Sequence, residues 1–258
     1  MAQAAERNRT TNPAASPEVQ DSASRSLYRV GGTAAWIVGL LIFVDIPIFF
    51  IWPPPGNLQP TRATVVAFFT LFHQRRLVGL LDLDLLGLVA YVFLVPVLLA
   101  LFQALRKSSP AFLPIATVFA LVGIGIYFAA NPAFAMLSLS SQYAVAATDV
   151  QRSLLEASGE TLLTTFYVTV FGMSYIMIAA SLLIISAVAL RSQVFSKATA
   201  GMGIVANSMM LIGGLLFPWP LLGALLSLLG AVALGVWAIQ TGRTLRRLAA
   251  APASLGDP

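Results

Sequence analysis

Between Arg75 and Lys107 the chain passes a basic pair, two carboxylates in Leu81-Asp82-Leu83-Asp84-Leu85, and then about twenty apolar residues before Arg106-Lys107 closes the run. A run of that length crosses a hydrocarbon core of about 30 Å as one helix, with its backbone polar groups bonded internally. Carboxylates beside such a run are costly to hold there, and intramembrane acids mark functional positions.

The pattern recurs along the chain. Of 258 residues, 58% are hydrophobic and 10% charged, against about 45–50% and about 25% in soluble domains. The excess lies in runs of some twenty residues and does not alternate with polar ones, which selects spanning helices over barrel strands. The sequence therefore predicts an all-α polytopic transmembrane bundle with six spans: Thr33 to Trp52, Leu77 to Leu105, Phe112 to Leu137, Leu162 to Leu190, Ala198 to Phe217 and Leu221 to Gln240. Residues 1–27, rich in Ala, Ser, Asn and Pro, read as a disordered tail without a cleavage site, residues 28–248 as the membrane domain and 249–258 as a second tail. Pro218-Trp219-Pro220 should form a tight hairpin between the last two spans.

Charge sets the expected orientation. Eleven of the fifteen Lys and Arg residues fall on one side: Arg7, Arg9, Arg25, Arg29, Arg106, Lys107, Arg191, Lys197, Arg243, Arg246 and Arg247. Arg62, Arg75, Arg76 and Arg152 fall on the other. The positive-inside rule places both termini in the cytoplasm of a cell with this protein in its plasma membrane. Trp36 and Trp237 would then mark the inner boundary, and Trp52 and Trp219 the outer one.

The net charge of +5 does not indicate nucleic acid, because the basic residues cap apolar runs and form no aromatic-interleaved patch. With no cysteine and His73 as the one histidine, thiolate, iron-sulfur, bis-histidine haem and multi-histidine zinc sites are excluded. No nucleophile elbow, phosphate loop or dinucleotide fingerprint is present. The reading therefore assigns no cofactor and no metal, and the bilayer as the obligatory partner.

Two external connections are longer than a hairpin needs. Val65, Phe68, Phe69 and Phe72 recur at helical spacing, as a short helix lying on the membrane would require. Thr148-Asp149-Val150-Gln151 reads as a capping box opening a helix, with Arg152 and Glu156 paired one turn apart and Gly159 as its stop. In the last span Gly223, Ser227, Ala231 and Gly235 repeat every fourth residue, a stripe for close helix packing. Thr165, Thr169, Ser174, Asn207 and Ser208 read as interhelical hydrogen-bonding groups.

The segment from Tyr143 to Arg152, Ala157-Ser158-Gly159-Glu160, and Leu190-Arg191-Ser192-Gln193-Val194-Phe195-Ser196-Lys197 together resemble a group of bacterial six-helix membrane proteins catalogued only as a domain of unknown function. The resemblance covers roughly residues 28–245. It implies a bacterial plasma-membrane location and assigns no reaction.

The candidate polar site begins with Asp45. Fifteen residues from Val30 to Val44 make roughly 22 Å of helix, too short to clear the core before the acid is reached. Pro47 disturbs the carbonyl of Phe43 beside it. Asp45 is either a proton or cation site or a structural acid paired with Asn131, Tyr127 or an external arginine. If Leu77 to Leu105 is one helix about 43 Å long, Asp82 and Asp84 fall in the headgroup zone and point about 160° apart, so only a break brings both to one site. The favoured reading keeps both interfacial; in the alternative, one of them joins Asp45. Three functions remain open: binding or transport of a small solute or proton, an accessory or regulatory subunit for a protein partner, and, least supported, an intramembrane lipid-acting enzyme.

Overall fold

The computed structural model describes residues 17–216 and 220–251, with the side chains of 17–21, 57, 58 and 220 excepted. The regular elements among them are all helical. Six helical runs are long and apolar enough to cross a membrane. They are built from α1 (Pro17–Ile51), α4 (Leu85–Leu105), α5 (Phe112–Ala130), α8 (Phe171–Arg191), α9 (Lys197–Leu215) and α10 (Pro220–Ala250). Their outward faces carry exposed Leu40, Phe112, Ile115, Val118 and Val205. A water-soluble bundle would turn these inward, whereas hydrocarbon solvates them.

The six close into a ring in the order α1, α4, α5, α8, α9, α10. Leu98, Leu101, Leu105, Leu113, Ile185 and Leu245 fill its centre toward the end where α1 begins and α10 finishes. α9 starts where a side chain takes up an orphan amide: Ser196 accepts from Thr199 N at 3.1 Å. The first span, read from the sequence as Thr33 to Trp52, belongs to a helix that begins at Pro17, so residues 17–27 continue α1 and are not part of a disordered tail; residues 1–16, 252–258 and the Pro218-Trp219 part of the hairpin lie outside the described residues.

Past the other end of the ring stands a helical cap. The third span does not stop at Leu137: after a break at Asn131-Pro132 it continues as α6 (Ala133–Val145). The fourth begins at Asp149, as α7 (Asp149–Thr164), and passes through a π-helical segment, Thr165–Val170, into α8. That 43-residue run is about 64 Å long at 1.5 Å per residue, roughly twice the hydrocarbon core, so α7 projects beyond it. α2 (Arg62–Gln74) packs on α6 and α7, followed by the short α3 (Arg76–Asp82).

The cap corrects several sequence expectations. Val65, Phe68, Phe69 and Phe72 do lie on one helical face, but Met136 and Leu163 cover it, so protein and not the membrane surface buries them. The capping box at Thr148 forms, with Gln151 Oε1 accepting from Thr148 N at 3.3 Å and Thr148 Oγ1 accepting from Gln151 N at 3.2 Å. Gly159 is not a stop; it lets Val65 and Phe69 of α2 press against α7 where a Cβ would collide. Arg152 donates to the Ala146 carbonyl at 3.3 Å and Glu156 accepts from Tyr143 at 2.9 Å, so the two do not pair. Among the described residues the ion pair is Arg62 with Glu160, at 3.7 Å, joining α2 to α7.

Glycines set the tightest crossings in the ring. A Cβ on Gly39 would lie 3.0 Å from the Gly235 carbonyl oxygen, and one on Gly32 would lie 3.0 Å from that of Gly242, so α1 and α10 run antiparallel in backbone contact. The small residues of α10 serve two neighbours and not one face: Gly223 and Ser227 meet Gly213 of α9, while Gly235 meets the Phe43 ring of α1. Gly230, on the flank of a single stripe, is packed against α9, where a Cβ would stand 3.0 Å from Met210 N and 3.1 Å from Ala206 O. Backbone yields less than a ring. Gly230→Leu should therefore lower the thermal stability of the solubilised protein more than Gly235→Leu, by about 1–3 kcal/mol of overpacking; the reverse order would restore the single-stripe arrangement.

Candidate functional site

Sequence reading of one continuous second span fails at Leu83-Asp84. Asp84 adopts the left-handed conformation, φ 65° and ψ 42°, which Asp tolerates better than most residues. It ends the α3 segment and opens α4, its Oδ1 accepting from Gly87 N at 3.0 Å. A Cβ at position 87 would strike the Asp84 carboxylate itself, so this folded-back cap depends on glycine there. With the helix broken, the 160° separation of Asp82 and Asp84 no longer applies.

Both acids line one cavity of about 200 Å³ together with Asp45. Asp45 and Asp84 also line a second cavity, about 210 Å³, that runs down the inside of the ring past Tyr91 and Ile178 to Asn207 and Trp237. All three carboxylates are partly buried. The two second-span acids therefore share a cavity with Asp45, as the alternative reading had it for one of them. Asp82, outside the spanning helices, has its carboxyl pushed up to about 6 by burial. Among the described residues no group of three His, Cys, Asp or Glu side chains is placed to hold a metal ion.

The partners expected for Asp45 serve Asp84 instead. Tyr127 OH donates to Asp84 Oδ2. Asn131 Nδ2 donates to Tyr127 OH at 3.3 Å and to Leu83 O at 3.1 Å, while its Oδ1 accepts from Ala133 N at 3.0 Å and closes the break between α5 and α6. Tyr127 and Asn131 thus stand behind Asp84 and fix its carboxylate. The Asp45 carboxylate, by contrast, has no hydrogen bond or ion pair with another described residue.

Aromatic rings enclose this arrangement. Tyr91 meets Tyr127 edge-on at 4.6 Å, Tyr127 meets Phe166 at 5.7 Å, and Phe166 meets Phe171 at 5.7 Å. The last contact joins residues five apart, which the π-helical turn brings one above the other; such turns recur at functional sites. Nothing in the Thr165–Val170 sequence signals it.

The remaining candidates take other places. His73 is exposed in the last turn of α2. Thr165 and Thr169 are exposed, Ser174 bonds Phe171 O at 3.1 Å and Asn207 Nδ2 bonds Gly203 O at 2.7 Å, so these expected interhelical bonds stay within their own helices. Trp237 is buried against the cavity and does not face outward. Trp36 donates to Ile239 O at 3.2 Å beneath the Arg246 guanidinium, 4.5 Å from its ring centre. Ala231 lines the cavity, the one residue of the α10 stripe to do so. Gly87, Tyr91 and Trp237 are site residues the sequence reading missed. Only Gly87 carried a signal, three residues after an Asp that precedes an apolar run.

No family model, no curated protein and no solved structure matches the chain. The geometry therefore carries the functional argument alone.

Tyr127→Phe removes the phenol that holds Asp84, and Gly87→Ala pushes the carboxylate from its cap. Each should raise labelling of Asp84 by a lipophilic carbodiimide several-fold relative to Asp45, mapped by mass spectrometry. An unchanged ratio would mean that neither residue positions Asp84.

Proposed function

We propose that this multi-pass membrane protein binds a small cation between Asp45 and Asp84 as the loading step of solute transport, with protons competing for the same carboxylates. One observation carries the reading: two acids from different helices face one cavity, and among the described residues no Lys or Arg lines it. In low dielectric, like charges left together without a counter-charge are costly, and a cation between them removes that cost. The asymmetry between the acids fits such a role. Asp84 is fixed by Tyr127 and Gly87, whereas Asp45 has a free carboxylate to offer.

The distribution of Lys and Arg favours cytoplasmic termini and an external cap, in a plasma membrane. The cavity with all three acids then lies beneath the cap. A second reading, an accessory subunit, draws on one feature: Val145, Val150 and Leu154 are 81%, 70% and 64% exposed around the α6 to α7 turn, an apolar surface set beyond the spanning segments.

Proteoliposomes adsorbed on a solid-supported membrane test the cation reading through concentration jumps of sodium, methylamine and larger amines. Wild type should give a transient current with at least one of these cations. The current should shrink as the buffer is acidified and vanish in Asp45→Asn, which keeps the side-chain shape. Currents that survive Asp45→Asn, or no current with any cation, would overturn the proposal.

A further inference from the structure

Asp45 stands where three cavities meet. Besides the two already described, a third of about 440 Å³ lies beside α1 and the first turns of α10, sharing Asp45, Ile46, Tyr175, Met210 and Ala231 with the inner cavity. Its rim includes Phe50, Leu221 and Leu225, which are 64%, 75% and 50% exposed on the outward face of the ring. In a membrane that face meets lipid, so the carboxylate is reached sideways through an apolar opening.

The inner cavity adds a second constraint. Its lining is dominated by apolar and aromatic groups, among them Ile42, Leu94, Phe171, Ile178 and Trp237. A cavity of about 150 Å³ with such walls accommodates a benzene-sized body, so about 210 Å³ holds one ring or a medium alkyl chain. From Asp45 to Val38, both on its wall, α1 rises about 10 Å.

We propose, resting on the cation reading above, that the solute is an amphiphilic organic ammonium ion that enters laterally from the bilayer. Its ammonium sits between Asp45 and Asp84, and its apolar body fills the inner cavity. A bare inorganic cation would leave the apolar volume empty. An aminophospholipid carries the same ammonium, but its phosphate would lie against Asp82 and Asp84 with no described Lys or Arg in the lining to receive it. The free amine is therefore the favoured source.

Calorimetric titration of the full chain in phosphatidylcholine nanodiscs, with empty discs subtracted, tests this using octylamine, octanol, methylamine and sodium. Octylamine should bind, with octanol weaker by about tenfold or more for want of the charge and methylamine by about a hundredfold for want of the body. Asp45→Asn and Asp84→Asn should each weaken octylamine by about tenfold or more, and Asp45→Asn, which breaks no hydrogen bond, should melt like wild type. If methylamine or sodium binds as tightly as octylamine and the Asp variants abolish it, the ammonium-with-body proposal fails while the cation reading stands. If octanol equals octylamine and the variants change nothing, both fail. If phosphatidylethanolamine added to the discs displaces octylamine, the ligand is a lipid headgroup and the free-amine assignment is overturned.

Discussion

The antiparallel contact of α1 with α4 decides where the two central carboxylates fall. Gln103 donates to Ser24 at 2.8 Å near one end, and Gly31 lies against Ala100 and Pro96 further along. Carried up the pair at 1.5 Å per residue on each helix, that register brings Asp45 level with Asp84. Neither acid could shift alone, because each is fixed to its helix. What remains adjustable is the backbone at Asp84, and there the chain breaks, adopts a left-handed residue and caps the next helix with the carboxylate itself.

The cap makes that break tenable. Leu83, beside the break, is fully buried with Phe68, Phe72, Met136 and Leu163, so the residue before the left-handed turn is held by packing. Asn131 reaches the Leu83 carbonyl from α5 and so satisfies a backbone group that the interruption frees. The aromatic series from Tyr91 through Phe171 fills the space between the break and the π-helical turn. Irregular backbone within a bundle survives where protein or a cavity surrounds it, and both do so here.

Much of this architecture was legible from residue types. Runs of twenty apolar residues, a Thr-x-x-Gln box and a Phe series at helical spacing report on local physics, and helices formed at each. The second span was misread because Leu77 to Leu105 is apolar on every face apart from its two acids and Gln103, and helical periodicity cannot locate a break caused by a side-chain cap. Gly159 looks like a terminator in one dimension; only the approach of Val65 reveals that it is a contact. Asp45 was placed in the bundle by length alone, but its partners depend on the neighbour of α1 in the ring, which no local pattern encodes. Asn207 read as an interhelical group, but its amide bonds the carbonyl one turn back on its own helix, a choice that residue type does not encode.

A cation site between Asp45 and Asp84 needs the two to face each other, and the absence of cysteine from the chain makes this directly measurable. Asp45→Cys combined with Asp84→Cys, treated with a short bis-maleimide in native membranes, should crosslink within the chain as efficiently as the reference pair Ser24→Cys with Gln103→Cys. Efficient linkage of the reference pair without linkage between positions 45 and 84 would contradict the shared carboxylate site.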